Sequence, residues 1–488
     1  MTAIQAPRAP TLDRPPFDEL RGSLRGEVLL PTSAGYDRAR RLWNGAVDRR
    51  PACIARCAGV ADVVAAVRFA RERDLEIAVR GGGHNVAGTA ACDDGIVIDL
   101  SAMRAVWVDP AGRTAWVQGG ALWGDVDHET QAHGLATTGG IVGHTGVAGL
   151  TLGGGIGFLM RKYGLTVDNL LAAEVVTAEG SIVRASAEEH PDLFWALRGG
   201  GGNFGIVTSF RFALHPVGPT VLAGPVFWAA DDTTDVLRFY RDFAAEAPDE
   251  LGSVIRLGTV PPLADIPDDL HWRPAIAVVG CFAGAVADGA RAVRALRRFG
   301  TPLVDLLAPR QYAAFQGGFD DTVVHGWHYY WKAANLVGLS DDAIAVIADH
   351  AYAAGSPRSY TAMFPMGGAV ARVAHDATAY AARDVAHNII VDAVSLPGEP
   401  GVAAAEAAWA RRFLQALQPH RAAGVYVNFL DSDDDTTRVR EAYGDRTHRR
   451  LAEVKANYDP DNVFHHNKNI QPAPACSTPR GSRPGRRG

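Results

Sequence analysis

The spacing of apolar residues in the first half of the chain switches repeatedly between helical and extended periods. Residues 60–73 place valines at i, i+3, i+4 and i+7, which predicts a helix with one apolar face. The short apolar runs 75–79 and 96–100 predict strands. Residues 105–118 and 172–186 each alternate apolar and polar positions on the two sides of a turn, which predicts two hairpins. Together these elements predict an α+β fold.

The pattern changes after about residue 216. Clustered glycine loops disappear, and aromatic residues, alanine and valine dominate, which predicts a second domain at 217–424. We expect residues 425–472 to return to the first domain. Apolar periodicity is absent at both ends, so residues 1–20 are predicted to be a flexible tail and residues 473–488 a disordered one.

Composition narrows the class of protein. Of the 488 residues, 47% are hydrophobic and 21% are charged, as in ordinary globular proteins. A formal net charge of -6 argues against binding to nucleic acid or to an anionic membrane. Five cysteines are too few for a disulfide scaffold and leave at least one thiol free. The first residues lack the apolar stretch of a secretory signal, so we expect a cytoplasmic enzyme.

One long uncharged stretch stands out. Residues 130–160 contain no Asp, Glu, Lys or Arg, and ten of them are glycine. A membrane span is disfavoured, because each glycine costs a helix about 1 kcal/mol relative to alanine, and no stable helix is expected there. Clustered glycines instead let backbone N–H groups approach an anion or a flat ring. We interpret the stretch as a ligand-cradling loop, and a glycine-rich packing seam is the alternative.

A shorter glycine loop follows the predicted strand 75–79. Its sequence is Arg-Gly-Gly-Gly-His-Asn, from Arg80 to Asn85. Three consecutive glycines let neighbouring amides converge on a phosphate, and Arg80 would add positive charge. His84 follows at a position with no room for a core residue. The loop is therefore a second candidate binding segment.

Other motif matches carry less weight. Residues 200–205 match a dinucleotide-binding pattern, but a predicted helix precedes them and a strand follows, which is the reverse of the required order. Cys53 and Cys57 have no partners at zinc spacing and are expected to be core thiols. No metal site is expected.

Taken in order, the motifs resemble those of the berberine-bridge-enzyme-like oxidases, within the vanillyl-alcohol-oxidase or PCMH-type FAD-binding superfamily. The resemblance rests on residues 80–85, 137–169, 199–210, 426–428 and 458–470. It implies a two-part, PCMH-type FAD-binding domain, formed by the segments 21–216 and 425–472. It also implies a substrate-binding domain at 217–424, with an antiparallel sheet covered by helices.

The resemblance also assigns roles to individual residues. It implies that His84 binds the flavin 8α-methyl carbon covalently. Val142 stands where many relatives carry a second linking cysteine, so we expect a single bond between FAD and protein. The implied cofactor-binding residues are Arg80, Gly81, Gly82, Gly83, His84, Asn85, Gly88, Thr138, Gly139, Gly140, Gly143, His144, Gly146, Ala148, Gly149, Gly153, Gly154, Gly157, Asn169, Gly205, Ile206, Val207, Tyr426, Asn428, Asn467 and Asn469.

The implied reaction is an FAD-dependent oxidation of a small molecule. A hydride passes from a substrate carbon to flavin while a proton leaves an adjacent OH or NH group. Without a nicotinamide fingerprint, molecular oxygen is the expected acceptor. An alcohol, a sugar-like compound or another secondary metabolite is the expected substrate. The alternatives are a flavin-dependent oxygenase or oxidative cyclase of natural-product biosynthesis, and a non-catalytic flavin-binding protein.

The general base is not evident from the sequence. Many relatives have a Tyr-x-Asn-Tyr segment whose last tyrosine is the base, and Phe429 occupies that position here. The remaining candidates are Tyr426, Tyr330 and an ionised group of the substrate itself. A strand at 426–430 would turn Phe429 away from Tyr426 unless a twist or bulge intervenes. The aromatic run 327–331 suits a flat or sugar-like ligand, or the core of a sheet.

Overall fold

The structure is a computed structural model and describes residues 17–474. The predicted tails, residues 1–20 and 473–488, therefore lie almost entirely outside the described residues. At their inner edge the prediction differs from the structure, because a helix begins at Phe17 and buries Phe17 and Leu20.

The longest strands, of nine or ten residues, all follow residue 216. In chain order the strands are β1 (Glu27–Leu29), β2 (Cys53–Arg56), β3 (Ile77–Arg80), β4 (Ile96–Asp99), β5 (Val106–Asp109), β6 (Thr114–Gln118), β7 (Leu135–Ala136), β8 (Leu170–Val176), β9 (Ile182–Ser186), β10 (Ile206–Ala213), β11 (His215–Pro216), β12 (Thr220–Ala229), β13 (Leu251–Thr259), β14 (Pro274–Phe282), β15 (Val304–Asp305), β16 (Ala308–Gln311), β17 (His328–Leu336), β18 (Tyr360–Pro365) and β19 (His387–Ser395).

Helices separate and cover these strands. They are α1 (Phe17–Ser23), α2 (Tyr36–Ala39), α3 (Val60–Glu72), α4 (Trp123–Gln131), α5 (Val147–Gly153), α6 (Met160–Tyr163), α7 (Pro191–Leu197), α8 (Thr233–Glu246), α9 (Val286–Ala292), α10 (Arg294–Arg298), α11 (Tyr312–Gly317), α12 (Asp341–Ala351), α13 (Ala369–Arg372), α14 (Pro400–Ala416) and α15 (Thr436–Tyr458). None of them is long and apolar enough to cross a membrane.

The strands form three main sheets. The first has the order β1-β2-β4-β3, with β2, β4 and β3 parallel to one another. The second is antiparallel, with the order β5-β6-β10-β8-β9. The third is a large antiparallel sheet, β15-β12-β14-β13-β18-β19-β17, in which β16 also pairs with β12. The α+β class and the antiparallel sheet of the second half are confirmed.

The two faces of the large sheet have different neighbours. On one face α8, α12 and α14 bury apolar residues such as Tyr240, Ile344 and Trp409 against the strands. The opposite face belongs to the same apolar cluster as the glycine-rich loops of the first half. Strand alternation therefore places Trp331 toward those loops and Tyr330 toward the helices.

Several sequence predictions can be compared with these elements. The helix at 60–73 and both hairpins are confirmed. A helix precedes residues 200–205 and a strand follows them, as predicted. The strand predicted at 426–430 is wrong, since Val427–Phe429 forms a 3₁₀ turn. The absence of helix within 130–160 is also wrong, because α5 forms there, although it is only seven residues long.

Candidate active site

A large cavity lies between the glycine-rich loops and the large sheet. It offers about 340 Å³ to water-sized molecules and is lined by loops 81–85, 140–152 and 201–207, by the C-terminal segment 464–468, and by side chains of the large sheet. We call the part formed by these loops the cofactor end. The part formed by Val323, Trp331, Tyr360, Ala362, Phe364, Ile390, Asp392 and Phe429 is the substrate end.

The cofactor end is shaped by backbone. A Cβ atom on Gly82 would lie 2.5 Å from the backbone of Gly146, so the two loops touch without side chains between them. Gly149 and Gly202, by contrast, have open space where a side chain would begin. Such a cradle accepts a large flat or phosphorylated group close to the main chain. The residues present therefore fit the FAD that the sequence motifs imply.

Fifteen of the predicted site residues line this cavity. They are Gly81, Gly82, Gly83, His84, Asn85, Gly140, Gly146, Ala148, Gly149, Gly205, Ile206, Val207, Tyr426, Asn428 and Asn467. Nearly all of them lie at the cofactor end, as their place in the motifs led us to expect.

Other predicted residues pack the loops against each other and do not line the cavity. A Cβ on Gly139 would meet the ring of Trp123, and one on Gly157 would lie 1.8 Å from the carbonyl oxygen of Gly139. The same packing role explains why Gly88, Thr138, Gly143, Gly153 and Gly154 are absent from the cavity wall. Asn469 is also absent from it, and its Oδ1 atom is buried without a hydrogen-bond partner. The cradle and the packing seam, which were alternatives in the sequence, thus occur in one segment.

Two polar residues are placed differently from the prediction. Arg80 does not line the cavity, and its guanidinium donates a hydrogen bond to the carbonyl of Ala39 behind the loop. Asn169 donates from its amide to the carbonyls of Tyr163 and Leu165, at 3.0 and 2.9 Å. Both side chains therefore support loops and do not provide contacts inside the cavity.

His84 stands at the cavity wall among aromatic rings. Its imidazole stacks on Trp43, with ring centroids 4.2 Å apart. Its Nε2 atom is buried and has no hydrogen-bond partner. Burial, with smaller contributions from His144 and His325, holds the pKa of His84 well below its usual range. The ring is therefore neutral, with a free lone pair, which is the form that can act as a nucleophile.

His144 accompanies His84 without lining the cavity. Its ring centroid lies 5.0 Å from that of His84, and both of its ring nitrogens are buried and unpartnered. Val142 does line the cavity, at the position where the resemblance places a linking cysteine in many relatives. Within residues 17–474 the cysteines are buried elsewhere as free thiols, including Cys53 and Cys57, as predicted.

The C-terminal segment closes the cofactor end. The buried ammonium of Lys455 pairs with Asp459 and donates to the carbonyls of Asn203 and Phe464, both at 2.9 Å. This holds the segment against the loop 201–207. Asn467 donates to the carbonyl of Gly202, and its Oδ1 atom is buried without a partner.

The 3₁₀ turn between α14 and α15 brings the predicted residues Tyr426 and Asn428, together with Phe429, to the boundary between the two ends. The hydroxyl of Tyr426 accepts hydrogen bonds from the backbone N–H of Gly155 and from the amide of Asn428, both at 2.9 Å. Burial raises the pKa of Tyr426 to about 12. Phe429 lines the substrate end, because the turn replaces the predicted strand alternation.

Tyr330 is not part of the cavity. It lies on the helix-covered face of β17, and its hydroxyl donates to Asp433 at 2.8 Å. Burial, together with Asp433, raises its pKa. The sequence-based suggestion that Tyr330 is the base is not supported by this position. Its neighbour Trp331 occupies the cavity wall in its place.

Asp392 is the site residue that the sequence analysis missed. It lies on β19, is 1% exposed and lines the substrate end. Neither of its carboxylate oxygens has a hydrogen bond of ordinary geometry. Burial raises its pKa to about 7, although Tyr360, Trp331 and Arg256 oppose the shift. A carboxylate with a pKa near neutrality is well suited to accept a proton at physiological pH.

Comparison with protein families identifies two segments of the chain. Residues 51–186 match a family model described as "FAD binding domain". Residues 425–471 match one described as "Berberine and berberine like". The two matched segments contain the cofactor loop 81–85 and the segment that closes the cavity.

The chain is similar over nearly its whole length to characterised oxidases. It is 32% identical over 466 residues to (R)-6-hydroxynicotine oxidase of Paenarthrobacter nicotinovorans. The aligned region covers 92% of this chain and 97% of the oxidase. The crystal structure of 6-hydroxy-D-nicotine oxidase from Arthrobacter nicotinovorans matches with a TM-score of 0.81, 31% identity and coverage of 92% and 99%. Glucooligosaccharide oxidase from Acremonium strictum, a structure with 6-S-cysteinyl, 8α-N1-histidyl FAD, matches with a TM-score of 0.81, 26% identity and coverage of 93% and 99%.

Proposed function

Since this chain belongs to the berberine-bridge-enzyme-like family of FAD-dependent oxidases, we propose that it oxidises a small molecule with FAD bound covalently through His84 and with Asp392 as the proton acceptor. The observation that carries the proposal is the continuity of one cavity. His84 and the glycine loops lie at one end of it, and a buried carboxylate without an ion-pair partner among residues 17–474 lies at the other.

The proposed reaction removes two electrons and a proton from the substrate. Bound FAD supplies a two-electron acceptor for a hydride from carbon. Asp392 accepts the proton of the adjacent OH or NH group, and the apolar walls around it exclude water. Because its pKa is about 7, the carboxylate is half ionised at neutral pH and is available as a base.

Tyr426 is assigned a positioning role in this proposal. Its hydroxyl already accepts two hydrogen bonds, and these fix Gly155 and Asn428 beside the cofactor end. A pKa of about 12 keeps it protonated at neutral pH, which makes it a poor proton acceptor. In this proposal Asp392 on β19 takes over the base function of the tyrosine that Phe429 replaces.

A single covalent bond at His84 is the second part of the proposal. The imidazole is neutral and ring stacking on Trp43 fixes its orientation. The cavity wall within residues 17–474 contains no cysteine, and Val142 stands at the position of the second link. The histidyl link of the glucooligosaccharide oxidase supports a bond of the same kind here.

The relatives suggest the range of substrates and the acceptor. Their names describe oxidases of a hydroxynicotine and of a glucooligosaccharide, so we propose a carbon bearing OH or NH as the site of oxidation and oxygen as the acceptor. We retain 21–216 with 425–472 as the cofactor domain and 217–424 as the substrate domain, because the large sheet spans only residues 220–395. Buried free thiols are compatible with the proposed cytoplasmic location.

The test is a substrate panel with two readouts. Anaerobic addition of amines, alcohols and sugars should bleach the flavin absorbance with at least one compound class. Readmission of air should restore the absorbance and release one hydrogen peroxide per substrate oxidised. Oxygen atoms from labelled O₂ in the product would identify an oxygenase and contradict the proposed oxidase.

A further inference from the structure

The substrate end is a mainly apolar chamber. Trp331, Phe364 and Phe429 form one wall, with the ring of Phe429 edge-on to Trp331 at 5.6 Å between centroids and tilted to Phe364 at 6.0 Å. Ile390 and Ala362 continue this wall on the neighbouring strands. A ligand with many hydroxyl groups would leave most of them without a hydrogen-bond partner here, and each such loss is costly in a buried site.

Asp392 is the charged group of this chamber. Titratable and polar side chains face it from the neighbouring strands and from the segment after the 3₁₀ turn. Tyr360 lies on β18, Trp331 and Tyr329 on β17, Arg256 on β13, and Asp431 follows the 3₁₀ turn.

None of these groups neutralises the carboxylate directly. The guanidinium of Arg256 lies over the Tyr360 ring, 4.7 Å from its centroid, and donates to the carbonyl of Thr259. Asp431 already accepts from the backbone N–H groups of Trp331 and Ser432. A buried carboxylate without a cationic partner is stabilised by a cationic ligand far more than by a neutral one.

We propose that the substrate is a compact, mainly apolar amine that binds as a cation, with its nitrogen against Asp392 and its body against the aromatic wall. Aromatic faces around a carboxylate are favourable for ammonium groups, because the ring quadrupole attracts the positive charge. The inference rests on the proposed function and selects the substrate class of that same site. The site is expected to prefer amines to oligosaccharides, because the aromatic wall offers few hydrogen-bond partners for hydroxyl groups.

Oxidation of this substrate removes one hydride and one proton. The C–H bond next to nitrogen breaks and leaves as a hydride, which reduces FAD by two electrons. The nitrogen lone pair forms a C=N bond after the N–H proton has passed to Asp392. Dioxygen would then take the two electrons and, with the hydrogen of the hydride and the proton held by Asp392, would leave as hydrogen peroxide, which returns Asp392 to its ionised form.

The experiment separates recognition from turnover. Benzyltrimethylammonium has a positive charge but no lone pair or N–H, so it can bind and cannot be oxidised, while benzyl alcohol is a neutral compound of similar shape. Calorimetric titration of the holoenzyme at pH 8 should show the cation binding about tenfold more tightly than the alcohol. Cellobiose should not bind measurably.

The pH dependence gives a second readout. The carboxylate of Asp392, with a pKa of about 7, changes from about one-tenth to about nine-tenths ionised between pH 6 and pH 8. Affinity for the cation should therefore rise about tenfold over this range, and affinity for benzyl alcohol should stay constant. Asp392→Asn should abolish both the charge preference and its pH dependence, whereas Asp433→Asn, outside the cavity wall, should retain them.

The opposite results would overturn the inference. Tighter binding of cellobiose than of the cation, or an unchanged cation preference in Asp392→Asn, would show that the carboxylate does not select an amine. Because the titration measures binding alone, the proposed oxidase function is judged separately, by flavin bleaching and peroxide release.

Discussion

The two ends of the cavity are built from different parts of the polypeptide. At the cofactor end, consecutive residues such as 81–85 present backbone, and Gly82 and Gly146 touch where a side chain would not fit. At the substrate end, single side chains from separate strands meet, with Trp331 from β17, Tyr360 from β18 and Asp392 from β19. The cofactor end is therefore formed by residues that are consecutive in the sequence, and the substrate end by single residues that are far apart in the sequence.

The difference separates cofactor binding, which depends on backbone shape, from substrate selection, which depends on side chains. A cradle made of backbone binds the same cofactor throughout a family, because its shape depends on glycine and not on side-chain chemistry. A chamber made of one side chain per strand can change its substrate and even its base without altering the fold. Phe429 and Asp392 illustrate this, since Phe429 lacks a proton-accepting group and, in our proposal, Asp392 supplies one.

The largest expected effect is at the substrate end. Asp392→Asn should slow anaerobic flavin reduction by about 10²- to 10⁴-fold, because the proton acceptor is lost while the shape is kept. Flavin content should stay the same. In the parent enzyme the reduction rate should rise with pH through about 7, since the carboxylate must be ionised to act. Stopped-flow absorbance with any substrate that bleaches the parent flavin measures both.

A measurement of thermal stability distinguishes loss of the proton acceptor from unfolding as the cause of slow flavin reduction in Asp392→Asn. The pKa of Asp392 is about 7 in the folded protein against a usual 3.8, so ionisation of this group opposes folding as the pH rises from about 4 to 7. Asparagine removes this penalty. Asp392→Asn should therefore unfold at a temperature no lower than the parent at pH 8, and a clearly lower temperature would point to a structural role.

An intermediate effect is expected at the cofactor end. In Gly82→Ala the new Cβ would lie 2.5 Å from the backbone of Gly146, so the two loops must separate, at a cost of about 1–3 kcal/mol. Flavin occupancy, read from the absorbance ratio of the purified protein, should fall. Gly22→Ala is the matched control, because nothing lies within 4 Å of its Cβ position and flavin occupancy should not change.

The smallest effect is expected at the boundary between the ends. Tyr426→Phe leaves the N–H of Gly155 and the amide of Asn428 without their acceptor, at a cost of about 1–3 kcal/mol. Flavin reduction should slow by about tenfold or less, with an unchanged pH profile. Tyr330→Phe should reduce flavin at the parent rate. A loss of several orders of magnitude in Tyr426→Phe would make that tyrosine the base.

The sequence predicted those parts of the molecule whose physical cause is local. Helix α3 and the two hairpins follow from periodicity within a dozen residues, and the cofactor loops follow from glycine clusters. The segment 426–430 was mispredicted because its apolar residues are typical of a strand, whereas its contacts with loop 150–155 favour a turn. Propensity was overridden there by tertiary contacts.

The proposed base, Asp392, could not be found in the same way. Asp392 lies in a strand whose other residues are mostly apolar, so a buried acid within the run 389–394 was the available signal. Its significance depends on β17 and β18, which supply Trp331 and Tyr360 from distant parts of the chain. Arg80 shows the converse, since its motif suggested a phosphate contact and its side chain points behind the loop.

The most direct test of the account is the site and number of flavin bonds. Acid-precipitated protein should retain its FAD, and mass spectrometry of a tryptic digest should find one flavin-bearing peptide, attached at His84. His84→Ala should release all of its flavin on denaturation. Release of flavin from the denatured parent protein, retention in His84→Ala, or a flavin peptide linked through a cysteine would contradict it.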